Sequence, residues 1–195
     1  MKHLILLCTF ALSMHSFSQN IPPSEIGVDG SFYASNFGGT IGLGVKYGLK
    51  LNENVIAGPS VRYQRSWAQP QFSPNTSSFN VFGGGGFLHA RFFNALFVGT
   101  ELEFLRSPFS GGFVGTTGNW SFTALIGGGY SMEFNEKWRL NLGIMYDVVN
   151  SLNSPLRTQY FMRNAQQQLL PVIYRITFFF PLGGSDNDGD DFDEE

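Results

Sequence analysis

Cysteine is nearly absent: Cys8 is the single one in 195 residues, so no disulfide framework and no multi-cysteine zinc site exist within the chain. Charge is scarce. Only 14% of residues are Asp, Glu, Lys or Arg, against about 25% in an ordinary soluble domain. Long apolar runs are missing too: after residue 20 none approaches the roughly 20 residues a membrane-crossing helix requires. No surface is basic enough to read as a nucleic-acid site, so none is expected as a partner. What fills the chain instead is glycine, 24 residues, and aromatics at 16%, with 21 Phe. Disordered chains are poor in aromatics and coiled coils favour Ala, Glu, Lys and Leu, so both are excluded.

The net charge of -3 hides two unlike parts. Residues 185–195 hold 7 of the 15 acids and read as a disordered acidic tail. Residues 19–184 hold 8 acids against 11 bases. Asp186-Asn187-Asp188-Gly189 has oxygen-rich spacing, but the chain ends before a twelfth-position Glu would complete a calcium loop. No metal or cofactor is expected. At the other end Met1-Lys2-His3 precedes the apolar stretch Leu4–Leu12, and Ser16-Phe17-Ser18 offers small residues for cleavage before Gln19. This reads as a secretory signal peptide over residues 1–18. Cys8 lies inside the apolar stretch behind Leu7, not where a lipidated cysteine would stand.

The part between, residues 19–184, alternates with period two, the mark of strands with unlike faces. From Ile41 to Leu51 every odd position is apolar and every even one is Gly or Lys. Similar runs predict eight strands at 25–34, 39–51, 55–67, 78–92, 96–106, 119–134, 138–149 and 169–182. The connections at 52–54, 93–95 and 135–137 are short. Those at 68–77, 107–118 and 150–168 are long, and 35–38 belongs with them. Short and long alternate, so an up-and-down meander places all short turns at one end and all long loops at the other.

One face is dense in Phe, Leu, Ile and Val and carries Tyr63, Trp67, Trp120, Tyr130, Trp138 and Tyr146, many toward strand ends. This is the arrangement of aromatic girdles that flank an apolar band. The other face carries Gly, Ser and Thr together with Lys46, Arg62, His89, Arg91, Glu101, Glu103, Glu133, Arg139, Asp147 and Arg175, and also Lys50. Ionisable groups of both signs can pair inside a closed barrel. Inward glycines such as Gly42, Gly44, Gly127 and Gly129 would leave room for them. Closure also removes the strand edges that lipid cannot solvate.

Signal peptide, eight alternating strands, segregated loops and the final aromatic strand Tyr174-Arg-Ile176-Thr-Phe178-Phe-Phe180 resemble the small OmpA/OmpX-type outer-membrane barrels. In that family a single-domain member usually ends at the aromatic; here Pro181–Glu195 follow. The resemblance implies an eight-stranded, closed, antiparallel up-and-down transmembrane barrel in a Gram-negative outer membrane. It implies the short turns and tail on the periplasmic side, the long loops outside, and the barrel assembly machinery as a partner in biogenesis.

Candidate sites are few. Gly83–Gly86 lies mid-strand rather than between strand and helix, so flexing or bulging of the strand is expected rather than a phosphate cradle. His89, the one histidine after the signal peptide, falls on the polar face, where a pair with Glu101 or Glu103 is expected. No Gly-x-Ser-x-Gly elbow is present. Arg65, Arg106, Arg157 and Arg163 lie at the long-loop end, where they suit lipopolysaccharide phosphates. An eight-stranded interior is about filled by side chains. A structural or surface-interaction role is therefore expected from a non-enzymatic, monomeric barrel in outer-membrane lipid. The alternatives are a lipid A-modifying enzyme and a secreted lipocalin-like barrel, which would put the apolar face inside.

Overall fold

A computed structural model describes residues 24–35, 38–68, 77–110, 113–134 and 138–182. The expected signal peptide over residues 1–18, the expected tail over 185–195, Cys8 and most of the 68–77 connection lie outside the described residues. Eight strands run in order: β1 Ser24–Ser35, β2 Gly38–Lys50, β3 Val55–Ala68, β4 Ser77–Phe92, β5 Leu96–Ser110, β6 Phe113–Phe134, β7 Trp138–Asp147 and β8 Val172–Leu182. Each pairs antiparallel with its neighbour, and β8 closes on β1 from Ser24 opposite Leu182 to Gly30 opposite Ile176. The chain is a closed up-and-down barrel.

Local chemistry explains two of the short turns, and the third, 135–137, lies outside the described residues. Asn52 Oδ1 accepts from the amides of Asn54 and Val55 at 2.9 and 2.8 Å, which folds the 52–54 turn on itself. Between β4 and β5, Phe93 and Asn94 both take positive φ (53° and 52°), and Ala95 N donates to Phe92 O at 3.1 Å. Two successive positive φ values make a tight hairpin turn whose twist suits the strands it joins.

Three expectations change. The 107–118 segment is not a loop: β5 and β6 continue pairing to Ser110 opposite Phe113. Pro108 cannot donate to the ladder, and the register shifts between Ser107 and Phe109, where Ser107 Oγ accepts from Phe109 N at 3.1 Å. Pro108 therefore makes a bulge and the hairpin runs on past it. Gly83–Gly86 makes no bulge; pairing passes through it unbroken to both β3 and β5. The 150–168 connection is partly folded. It holds a 3-10 helix, Pro155–Gln159, and a bridge between Arg163 and Leu169, and β8 starts at Val172 rather than 169.

Inward glycines act as notches rather than spare room. A side chain at Gly44 would meet the Asp29 carboxylate, one at Gly27 the Phe179 ring, and one at Gly99 the His89 ring. Gly127 and Gly129 differ from the expectation: a Cβ there would run into the β7 backbone, at Ile144 O and Leu142 O. They permit close strand approach and hold no side chain.

Candidate functional site

The barrel interior is layered along its axis. At mid-height, β1 supplies Asp29, β2 Lys46, β3 Arg62, β5 Glu101 and Glu103, and β8 Arg175, all at most 4% exposed. Arg62 Nε and Nη2 donate to Glu103 at 2.7–3.0 Å, and Nη2 also reaches Asp29 Oδ2 at 2.9 Å. Lys46 Nζ donates to Glu101 Oε1 at 2.8 Å. Arg175 lies 3.4 Å from Glu101, 3.8 Å from Glu103 and 3.9 Å from Asp29. Three carboxylates face three cations. Taking each ion out of water costs several kcal/mol, and mutual pairing is what offsets that cost.

Apolar side chains close both sides of this layer. Toward the short turns lie Ile56, Phe87 and Phe179. His89 sits against them, 5.1 Å from the Phe87 ring and 6.0 Å from Phe179, with Nε2 3.5 Å from Glu101 Oε1. Toward the long loops lie Val81, Leu105, Leu125, Met145 and Ile173, packed with Leu156 and Tyr160 from the β7–β8 connection. The charged layer is thus enclosed between two apolar ones.

Each end then carries its own polar group. At the short-turn end Arg91 grips Glu25 with two bonds of 2.9 and 2.6 Å, and Lys50 stands 3.2 Å from the same carboxylate. Arg139 pairs with Glu133 at the rim, where Glu133 is 39% exposed. At the long-loop end Asp147 works as a docking post rather than as a partner of the cations. Its Oδ2 accepts from Tyr160 Oη at 2.9 Å and Ser154 Oγ at 3.3 Å. Burial, and then the Asp147 carboxylate beside it, push the Tyr160 phenol up from its ordinary value. Gln64 adds bonds to Pro155 O at 3.3 Å and Thr158 Oγ1 at 3.1 Å, and Gln159 returns one at 2.6 Å. The 3-10 helix is thereby held as a plug in the upper mouth.

Of the eleven inward ionisable residues singled out from sequence, five therefore meet in the central layer: Lys46, Arg62, Glu101, Glu103 and Arg175, while Lys50 stands beside Glu25. His89 borders that layer, Arg91 joins Glu25, Glu133 and Arg139 sit at the rim, and Asp147 holds the plug. Sequence reasoning missed Asp29 and Glu25. Both lie on β1, and the alternation Ile26, Val28, Gly30, Phe32 turns them inward. It also missed Gln64 and Tyr160, whose role depends on a loop folding back.

The outer wall is apolar. Leu43, Val61, Val98, Phe104, Ile126 and Ile144 are each more than half exposed. The aromatic residues on it form two bands. Tyr63, Trp67, Trp120 and Tyr146 stand toward the long-loop end, and Tyr130 and Trp138 toward the short turns. Trp138 stacks on Phe134 at 4.1 Å. Tyr47, also exposed on this face, extends the band toward the short turns. A soluble barrel around an apolar ligand needs the opposite polarity: this one would expose its core to water and bury its ions. The wall is that of a membrane-embedded barrel, whose apolar belt is about 25 Å tall. From Leu96 to Arg106 on β5, ten steps of about 3.3 Å each and a tilt near 40° give about that height.

The four long-loop arginines separate into two pairs. Arg157 donates to Asn150 Oδ1 at 3.1 Å and lies over the Tyr160 ring. Arg163 donates to Gln167 O at 2.7 Å. Arg65 and Arg106 instead point outward from β3 and β5. Among the described residues no group of three or more His, Cys, Asp or Glu has metal-holding geometry.

No protein-family model matches the chain, and no curated protein matches it. Among solved structures, the chain is similar to the Yersinia pestis outer membrane protein Ail at 11% identity and a TM-score of 0.49, over 83% of this chain and 99% of that one. It is also similar to the NanC porin at 11% identity and a TM-score of 0.31, over 82% of this chain and all of that one.

Proposed function

We propose that the chain is a non-enzymatic outer-membrane barrel whose role is structural or surface-interacting, and not a diffusion pore. One observation carries this reading: a neutral ionic layer enclosed between two apolar layers fills the interior, while the wall is built for lipid. An interior packed this way stiffens the barrel and leaves the ends as the places of contact. The β5–β6 hairpin and the plugged β7–β8 connection both lie at the long-loop end, which in this reading faces outward. The short turns face the periplasm, the lipid of the outer membrane surrounds a monomer, and the barrel assembly machinery inserts it.

Membrane fractionation with gel migration of boiled and unboiled samples tests the placement. Planar-bilayer recording tests the sealed interior. The expected results are heat-modifiable migration in the outer-membrane fraction and no steady conductance. A soluble periplasmic protein, or a stable open channel, would overturn the corresponding half.

A further inference from the structure

The outer wall carries a concavity of about 680 Å³ on the β2–β6 side. Val61, Tyr63, Phe82, Gly84, Phe104 and Trp120 line it. Its depth has a simple origin. On β4 the outward position Gly84 presents no side chain, while its cross-strand neighbours Val61 and Phe104 project on either side. The result is an apolar trough that crosses the wall from β2 to β6.

The long-loop edge of the trough is charged. Arg106 stands opposite Phe82, with its guanidinium 5.6 Å from that ring's centroid. Arg65 stands opposite Asn80, whose Oδ1 accepts from Tyr63 Oη at 3.1 Å. Register places the two arginines two strands apart and two residues out of step, about 12 Å between their backbones. Both are exposed on the outward face, and among the described residues neither has an ion pair; the acids of β5, Glu101 and Glu103, point into the barrel. Two unpaired guanidiniums at the edge of an apolar belt, above an apolar trough and beside Trp120, complement one chemistry: a phosphate head group joined to acyl chains. Guanidinium forks suit phosphate.

We propose that this trough is a lipid site: it takes an acyl chain of a phosphorylated, acylated lipid of the long-loop leaflet, while Arg65 and Arg106 hold the phosphate. The proposal rests on the membrane reading above and deepens it. Arg157 and Arg163 are engaged within their own loop and take no part. The lipid is bound as a particular molecule, tighter than the bulk lipid around the rest of the wall.

The trough holds its own reporter in Trp120, and Trp138 at the opposite end serves as control. The full chain without its leader is refolded into vesicles of phosphatidylcholine brominated along its acyl chains, which quenches wall tryptophans. One variant, W67F/W138F, keeps Trp120; another, W67F/W120F, keeps Trp138. Unbrominated diphosphorylated lipid A is then added. Emission from Trp120 is expected to recover near equimolar lipid A, and that from Trp138 is not. Adding Arg65→Gln with Arg106→Gln should raise the lipid A needed by roughly tenfold or more. Val61→Phe, which fills the trough without adding charge, should raise it as well. Equal recovery at both tryptophans, recovery that ignores the arginine pair, or equal recovery with dephosphorylated lipid A would overturn the site. Heat-modifiable migration of each vesicle sample keeps the two levels apart. Failure of the unsubstituted chain to insert overturns the membrane reading, whereas normal insertion without selective recovery overturns the trough alone.

Discussion

The middle of the barrel and its short-turn rim use the same chemistry under different solvents. Both pair guanidinium with carboxylate. In the middle, Arg62 and Glu103 are at most 4% exposed and share their layer with four more charges. At the rim, Arg139 and Glu133 pair where the carboxylate side chain is 39% exposed. Water can replace either partner at the rim. It has no access in the middle, because Phe87 and Phe179 close one side and Leu105, Leu125 and Met145 the other. What differs is the consequence of losing one partner, far more than the strength of the bond.

The largest expected effect follows from that contrast. Glu103→Leu leaves Arg62 buried with a reduced set of acids, and should cost about 3–5 kcal/mol in urea unfolding from vesicles. Adding Arg62→Met restores neutrality and should recover most of the loss; an additive double variant would refute the idea that imbalance, not bond count, sets the cost. Next comes the wall. Ile126 is 52% exposed opposite Thr100 at mid-height, so Ile126→Arg should cost about 2–4 kcal/mol in the same assay. A negligible cost would mean the wall meets water.

The plug is intermediate. Tyr160→Phe removes one buried bond to Asp147 and should cost about 1–3 kcal/mol, with faster proteolysis between β7 and β8 as its signature. Because the folded phenol titrates above its unfolded value, its contribution is complete below about pH 10 and is lost only as pH rises through the folded value. Spectrophotometric titration should therefore show one tyrosine ionising after the others, and Tyr160→Phe should remove that late step. The smallest effect belongs to the rim: Glu133→Gln should change stability by about 0–1 kcal/mol, and salt should erase even that. A rim loss as large as that of Glu103→Leu would erase the contrast.

Eight strands, their order and their two faces were legible because period-two alternation is local: Ile41 to Leu51 states its own orientation. The inward set was legible for the same reason, and Asp29 and Glu25 would have joined it had the short β1 run been read by parity. The layering was not. Whether Glu101 meets Lys46 or His89 depends on how far each strand is staggered around a closed barrel, and no single strand records that. The plug was hidden for a related reason. Asp147 reads as one more inward acid until Ser154 and Tyr160 fold back over it. Pro108 misled because a residue that ends pairing in many settings here only shifts it.

The enclosed ionic layer also bears on the order of assembly. Its charges arrive in sequence: an acid on β1, a base on β2, a base on β3, two acids on β5 and the last base, Arg175, on β8. A sheet complete through β7 holds one uncancelled negative charge at its centre, and only the last strand supplies the missing positive one. Seam closure between β8 and β1 brings Arg175 beside Asp29 in the same motion that completes the wall. An electrical latch of this kind leaves the interior neutral only once the final strand is in place.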